Sequence, residues 1–189
     1  VNNKLLYSEK YKGHFISNVT NEIVNPFTSV ITLAQSIKSL SDTEMPVARH
    51  MADLIFEEAF HLDFQLKNIF AAALIEAGKT EIASTVVNLT ELTNQLIQYF
   101  EPLTVKKGIK LTVSIQNQNG NADTSMFYTD KDKLDLIVKN LVSNSVKYSP
   151  EQSEIFVGLK ILNSELTVEV ADHGKGISPE NRQIIFDRF

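Results

Sequence analysis

Asn140-Leu141-Val142-Ser143-Asn144-Ser145-Val146-Lys147-Tyr148, followed by Asp172-His173-Gly174-Lys175-Gly176-Ile177, is the part of this 189-residue sequence whose reading decides the fold. In the first stretch Leu134, Ile137, Val138, Leu141 and Val142 recur at three- and four-residue spacing, which predicts a helix and leaves Asn140 and Asn144 on a common face. Two amides four residues apart can share one ligand. Amide oxygens can coordinate Mg²⁺ in phosphate-rich surroundings, so Asn144 is a candidate metal contact; Lys147 can neutralise phosphate, and Tyr148 can lie against a purine. In the second stretch Gly174 and Gly176 allow a tight turn beside Asp172, whose carboxylate can accept a hydrogen bond from an exocyclic amine such as that of adenine. Taken singly, an Asn-rich helix or an Asp-x-Gly-x-Gly turn is ordinary structure. Their order and spacing carry the information.

That order, Asn-x-x-x-Asn-Ser-x-Lys-Tyr-Ser-Pro, then Asp-x-Gly-x-Gly-Ile, then Ile185-Phe186-Asp187-Arg188-Phe189, resembles the N, G1 and F boxes of the ATP-binding domain of sensor histidine kinases. The resemblance implies ATP and Mg as ligands and assigns nucleotide contacts to Asn140, Asn144, Lys147, Tyr148, Asp172, Gly174, Gly176, Ile177, Phe186 and Phe189. Family members continue beyond the F box through a mobile lid and a second glycine-rich loop that binds phosphates. This sequence ends at Phe189, so weakened phosphate binding is an expectation.

The first third supports the resemblance independently. Phe15, Ile16, Val19, Ile23, Phe27, Val30, Ile31, Ala34 and Ile37 form a stripe of helical period running to about Leu40. Ser41 to Pro46 is a polar break able to start a helix, and Met51, Leu54, Ile55, Leu62, Leu66, Ile69 and Leu74 form a second stripe ended by Gly78. Two such helices leave apolar surface that a second hairpin can cover, which predicts a dimeric four-helix bundle; a monomeric hairpin folded onto the rest of the chain is the bland alternative. Glu76-Ala77-Gly78-Lys79 resembles the family's exit from its HisKA-type dimerisation bundle, placing the division at 1–78 and 79–189.

Phe15-Ile16-Ser17-Asn18-Val19-Thr20-Asn21-Glu22-Ile23-Val24-Asn25-Pro26 is similar to the family's H box, Phe-Leu-Ala-Asn-Met-Ser-His-Glu-Leu-Arg-Thr-Pro. The phosphoacceptor histidine is replaced by Asn21, whose amide nitrogen has no lone pair available for attack on a γ-phosphate. Glu22 occupies the place of the acidic general base. In the family pattern Asn25 would position water against the aspartyl phosphate of a response regulator, a reaction that needs no histidine; the plainer reading is that Asn25 and Pro26 mark a helix kink. Val24 departs from the usual Arg or Lys. His14, two turns before position 21, reads as a surface or bundle-end histidine rather than a substitute phosphoacceptor; His50 and His61 lack a partner at a recognisable spacing, and His173 falls at a variable place in the glycine loop.

Beyond residue 79, Thr85 to Leu89 suits a strand, and Leu92, Leu96, Ile97, Phe100 and Leu103 a helix ending before Lys107-Gly108. Strand Ile109 to Ile115, strand Met126 to Thr129, a helix capped by Asp130, and strands Glu154 to Ile161 and Leu166 to Ala171 complete one mixed sheet with helices on one face. The expected fold is therefore α+β: a helical hairpin forming a dimeric four-helix bundle, then an α/β sandwich of the GHKL or Bergerat ATPase type, C-terminally incomplete.

A net charge of -5 and no basic run argue against direct nucleic-acid binding. No run approaches the roughly 20 apolar residues of a membrane span, and no secretory signal precedes the first helix, so a cytoplasmic location is expected, with membrane attachment only through other parts of a parent protein. The absence of cysteine excludes disulfides and cysteine-based zinc or redox chemistry. Two functions of different classes follow from the resemblance. One is a histidine kinase core that would use Mg·ATP to phosphorylate histidine and pass the phosphoryl group to a response-regulator aspartate, with Asn21 disabling the first step. The other is a non-phosphorylating scaffold, or a response-regulator phosphatase using Asn25. ATPases of the Hsp90, MutL and gyrase types lack the preceding bundle.

Overall fold

Side-chain caps at Asn88 and Asp130 and glycines at positive φ, Gly78 and Gly108, set several helix ends. The computed structural model describes residues 23–117 and 125–185, which divide into two compact units, one extending to Thr80 and the other spanning Glu81–Arg182.

The first unit is helical. Residues 23–38 form the described part of α1, and Thr28, Thr32 and Ser36 each donate a hydroxyl hydrogen bond to the carbonyl four residues back. Ser41 then turns the chain, its backbone N–H and hydroxyl both donating to the Glu44 carboxylate at 3.0 and 2.8 Å. Those bonds, the backbone one foremost, hold the Glu44 carboxyl below its ordinary pKa. A short 3-10 turn, Asp42–Glu44, leads into α2, Met45–Glu76, which at 1.5 Å per residue is about 48 Å long. Its end is a Schellman closure: Gly78 takes φ +64°, Gly78 N–H donates to the Ile75 carbonyl and Lys79 N–H to the Leu74 carbonyl. Phe64 is the one buried residue among those described in this unit, while Phe27, Phe56, Phe70 and Leu74 are at least half exposed. The described helices of this unit thus present exposed apolar side chains.

The second unit is a two-layer α/β arrangement. Strand β1, Ser84–Asn88, pairs antiparallel with β3, Met126–Asp130; β2, Lys110–Asn117, runs parallel to β4, Glu154–Leu162, which pairs antiparallel with β5, Glu165–Ala171. The five strands therefore form a two-stranded and a three-stranded sheet, where the sequence had suggested one mixed sheet. Strand order is set by long-range pairing, to which the local pattern is blind. Asn163 and Ser164, both at positive φ, make the two-residue turn between β4 and β5.

Helices α3, Leu89–Lys107, and α4, Lys131–Tyr148, pack together and against the three-stranded sheet. Alternate β4 residues Ile155, Val157, Leu159 and Ile161 are buried, as are Leu89, Leu92, Leu96 and Phe100 of α3 and Leu134, Val138, Val142 and Val146 of α4. Each such side chain contributes about 1.5–3 kcal/mol by leaving water. Asn88 caps α3 by accepting from Thr90 and Glu91 N–H groups, and Gly108 at φ +63° closes it. A short helix, α5, spans Asn181–Ile184.

Asp130 caps α4, accepting from the Lys133 N–H at 3.1 Å, from the Lys133 ammonium, and from the Ala83 N–H at 2.9 Å. The Lys133 side chain first, then the two backbone donors, hold the Asp130 carboxyl down at about 2. A depressed carboxyl stabilises the fold above its unfolded pKa of about 3.9, and that contribution disappears as pH falls through the folded value. Denaturant midpoints measured from pH 5 to pH 2 should fall in that window for the wild type, and Asp130→Asn should flatten this part of the curve while lowering the plateau.

Candidate functional site

α4 presents two different sides. Leu134, Val138, Val142, Ser145 and Val146 are buried against the sheet, whereas Ile137 (54 % exposed) and Leu141 (39 %) lie on the outer side with Asn144, beside the half-buried Asn140. Spacing alone had grouped Ile137 and Leu141 with the buried stripe. Successive residues of a helix turn by about 100°, so the sheet covers a narrower arc than the apolar pattern fills. The outer side is thus a ridge of two amides and two aliphatic side chains. Asn140 Nδ2 donates to the Leu136 carbonyl at 2.8 Å, bending this amide back along its own helix.

The other wall is the loop after β5. The Asp172 carboxylate accepts from the buried Ser145 hydroxyl through Oδ2 and from the Gly174 N–H through Oδ1, both at 2.8 Å. The first bond ties the loop to α4; the second closes an Asx turn over two residues. Each oxygen keeps acceptor capacity, and the residue is exposed, so the carboxylate is oriented for an external donor. His173 Nδ1 lies 3.0 Å from the Glu154 carbonyl, fixing the loop to the start of β4. Gly176 takes φ +68°, a conformation that favours glycine, and Ile177 beyond it is half exposed.

The C-terminal end of α4 closes the site. The Lys107 ammonium of α3 donates to the Val146 carbonyl at 2.7 Å and reaches the Lys147 carbonyl at 3.4 Å, supplying a cation where the helix carbonyls are unpaired. Lys147 and Tyr148 project from that turn into solvent; the Lys147 ammonium stands 5.2 Å, and the Lys175 ammonium 5.4 Å, from the Tyr148 ring centroid. Asn140, Asn144, Lys147, Tyr148, Asp172, Gly174, Gly176 and Ile177 therefore all belong to α4 or the loop hydrogen-bonded to it. Asn21 and Glu22 lie outside the described residues, as do Phe186 and Phe189; Asn25 is an exposed residue of α1.

Sequence reasoning overlooked Ser145 and Lys107. Ser145 left one signal, a hydroxyl placed in the apolar stripe of α4. Lys107 left none, since its partners are 39 and 40 residues away. Among the described residues no group of three or more His, Cys, Asp or Glu side chains could hold a metal ion.

Part of the chain that carries this geometry is similar to a known family of domains. Residues 129–189 match the family model described as histidine kinase-, DNA gyrase B-, and HSP90-like ATPase. Over 96 % of its length the chain is similar, at 29 % identity, to the autoinducer 2 sensor kinase/phosphatase LuxQ of Vibrio harveyi, and over 94 % of its length, at 24 % identity, to the sensor protein RprX of Bacteroides fragilis. It spans 21 % and 34 % of those two proteins. Among solved structures, the histidine kinase ThkA in complex with the response regulator protein TrrA matches 97 % of this chain and 52 % of that one, with a TM-score of 0.62 and 22 % identity. The fold is α+β, with an α/β sandwich of the GHKL type seen in histidine kinase catalytic domains.

Gly174 is the tightest point of the site. A Cβ there would stand 2.9 Å from both the Tyr148 carbonyl oxygen and Asp172 Oδ1. Gly174→Ala should therefore push the loop off α4, seen as amide chemical-shift changes at both Tyr148 and Asp172 and a stability loss of about 1–3 kcal/mol; spectra changed only at residue 174 would contradict this geometry.

Proposed function

We propose that this chain is the cytoplasmic catalytic core of a two-component sensor histidine kinase, with residues 1–78 as its dimerising phosphotransfer hairpin and 79–189 as its ATP-binding domain. The observation that carries the reading is the Asp172 carboxylate, tied to α4 by Ser145 and to its own loop by Gly174, inside the segment that matches the histidine kinase-, DNA gyrase B-, and HSP90-like ATPase model. Adenine would bind at Asp172, with Gly174, Gly176 and Ile177 forming the loop around it. Asn140, Asn144 and Lys147 are suited to the phosphate side, Asn144 as a Mg contact, and Tyr148 to the purine face. Phe186 and Phe189 would complete the enclosure. The bound nucleotide supplies the phosphoryl group; this chain's residues orient it and exclude water.

Asn21 makes the chain deficient in autophosphorylation, because position 21 offers no nucleophilic nitrogen. That residue favours a second reading of the same architecture, a non-phosphorylating scaffold or a phosphatase acting on a response regulator through Asn25. Asn25 is exposed on α1, and the relative LuxQ is named a sensor kinase/phosphatase. In either reading the partners are a second copy of this chain and the receiver domain of a response regulator. No described helix is long and apolar enough to cross a membrane, in keeping with a catalytic core whose membrane attachment, if any, lies in other parts of a parent protein.

Calorimetric titration with Mg·ATP tests the nucleotide site. Binding is expected, and Asn144→Asp, which places a negative charge beside the phosphates, should weaken it by about tenfold, or about 1.4 kcal/mol. Unchanged affinity would remove Asn144 from the site. Sedimentation equilibrium tests the hairpin: a dimer is expected, dissociated by Phe27→Asp in the exposed row of α1, and a concentration-independent wild-type monomer would sink the four-helix bundle.

A further inference from the structure

Lys175 has no role in the site as described so far, and its position is unusual. Its ammonium and that of Lys147 both stand over the Tyr148 ring, at 5.4 and 5.2 Å from the centroid. The two come from different elements, Lys147 from the last turn of α4 and Lys175 from the loop held to α4 through Asp172 and Ser145. Among the described residues neither lysine has a carboxylate within ion-pair distance. In a chain of net charge -5, two unpaired cations have thus been brought to one aromatic side chain at the edge of the candidate site. The ring quadrupole offsets part of their mutual repulsion. A polyanion would remove the rest.

Resting on the nucleotide-site reading above, we propose that Lys175 is a phosphate-reading residue: with Lys147 it forms a two-cation bracket across Tyr148 that makes affinity rise with the number of phosphates on the nucleotide. Lys147 approaches from the helix side and Lys175 from the loop side, so a phosphate chain passing the Tyr148 edge meets a positive charge from each element. Gly174 allows the loop to approach the Tyr148 carbonyl closely, and Gly176 takes positive φ, so the two glycines set the turn from which Lys175 projects. Both ammoniums are exposed, so the contribution is that of solvent-screened charges, effective within about 8 Å at physiological ionic strength.

The test is calorimetric titration of the whole chain with adenosine, Mg·ADP and Mg·ATP, comparing wild type with Lys175→Met and Lys175→Arg. Lys175→Met should lose about three- to fivefold in affinity for Mg·ATP, the size of one screened charge pair, less for Mg·ADP, and nothing for adenosine. Lys175→Arg should retain wild-type affinities, and the salt dependence of Mg·ATP binding should be shallower in Lys175→Met. Equal losses for adenosine and Mg·ATP would make Lys175 a packing residue and overturn the proposal, as would unchanged Mg·ATP affinity. A wild type that binds adenosine and Mg·ATP equally would sink the phosphate bracket and leave the nucleotide site standing; one that binds neither removes both.

Discussion

The Asp130 carboxylate receives three hydrogen bonds, one from the first turn of α4, one from the Lys133 ammonium and one from Ala83 at the start of the second unit. The same Lys133 ammonium also donates to the Glu81 carbonyl. The chain's entry into this unit and the beginning of α4 are thereby fixed to the same anion. With its start set, the rotation of α4 follows from burial: Leu134, Val138, Val142 and Val146 must face the sheet, and Asn144 must then face away. A helix shifted by one residue would turn its amides by about 100°. The chemistry of the outer ridge depends on this cap.

At the far end of α4 the same economy recurs. Lys107 holds the last carbonyls, and the Gln152 N–H donates to the Lys107 carbonyl, so the end of α3 and the turn before β4 are joined around the point from which Lys147 and Tyr148 project. Ser145 carries the restraint across to the glycine loop. The loop is consequently built on two rigid elements, α4 through Asp172 and β4 through His173. A carboxylate oriented this way loses little entropy when an external donor arrives.

The two units differ in how they are stabilised. The second has a closed apolar interior shared by α3, α4 and the three-stranded sheet, with Leu89, Leu96, Phe100, Val138, Val142, Ile155 and Val157 fully enclosed. The helical unit has well-made ends, a Ser41–Glu44 cap and a Gly78 closure, but among its described residues only Phe64 is buried. Caps and propensity set where helices begin and end; they do not supply the burial that holds helices together. The surface of this unit is accordingly where association would be stabilised.

Local chemistry made much of this legible in the sequence. Asp130 as a cap, Gly78 and Gly108 as helix stops, the β4 strand, and the Asn144 and Asp172 neighbourhoods could all be read from residue type and spacing, because each depends on neighbours within a few positions; Asn88 and Leu89, expected at the end of a strand, cap and begin α3. Tertiary structure alone decided the rest. It split the strands into two sheets, turned Ile137 and Leu141 outward, joined Ser145 to Asp172, sent Lys107 to the end of α4, and brought Lys175 to the ring that Lys147 also faces. These are contacts between groups 27 to 40 residues apart. No periodicity records such pairings, since they are fixed by how the apolar faces of α3, α4 and the sheet close on one another and not by the order of residues along any one element.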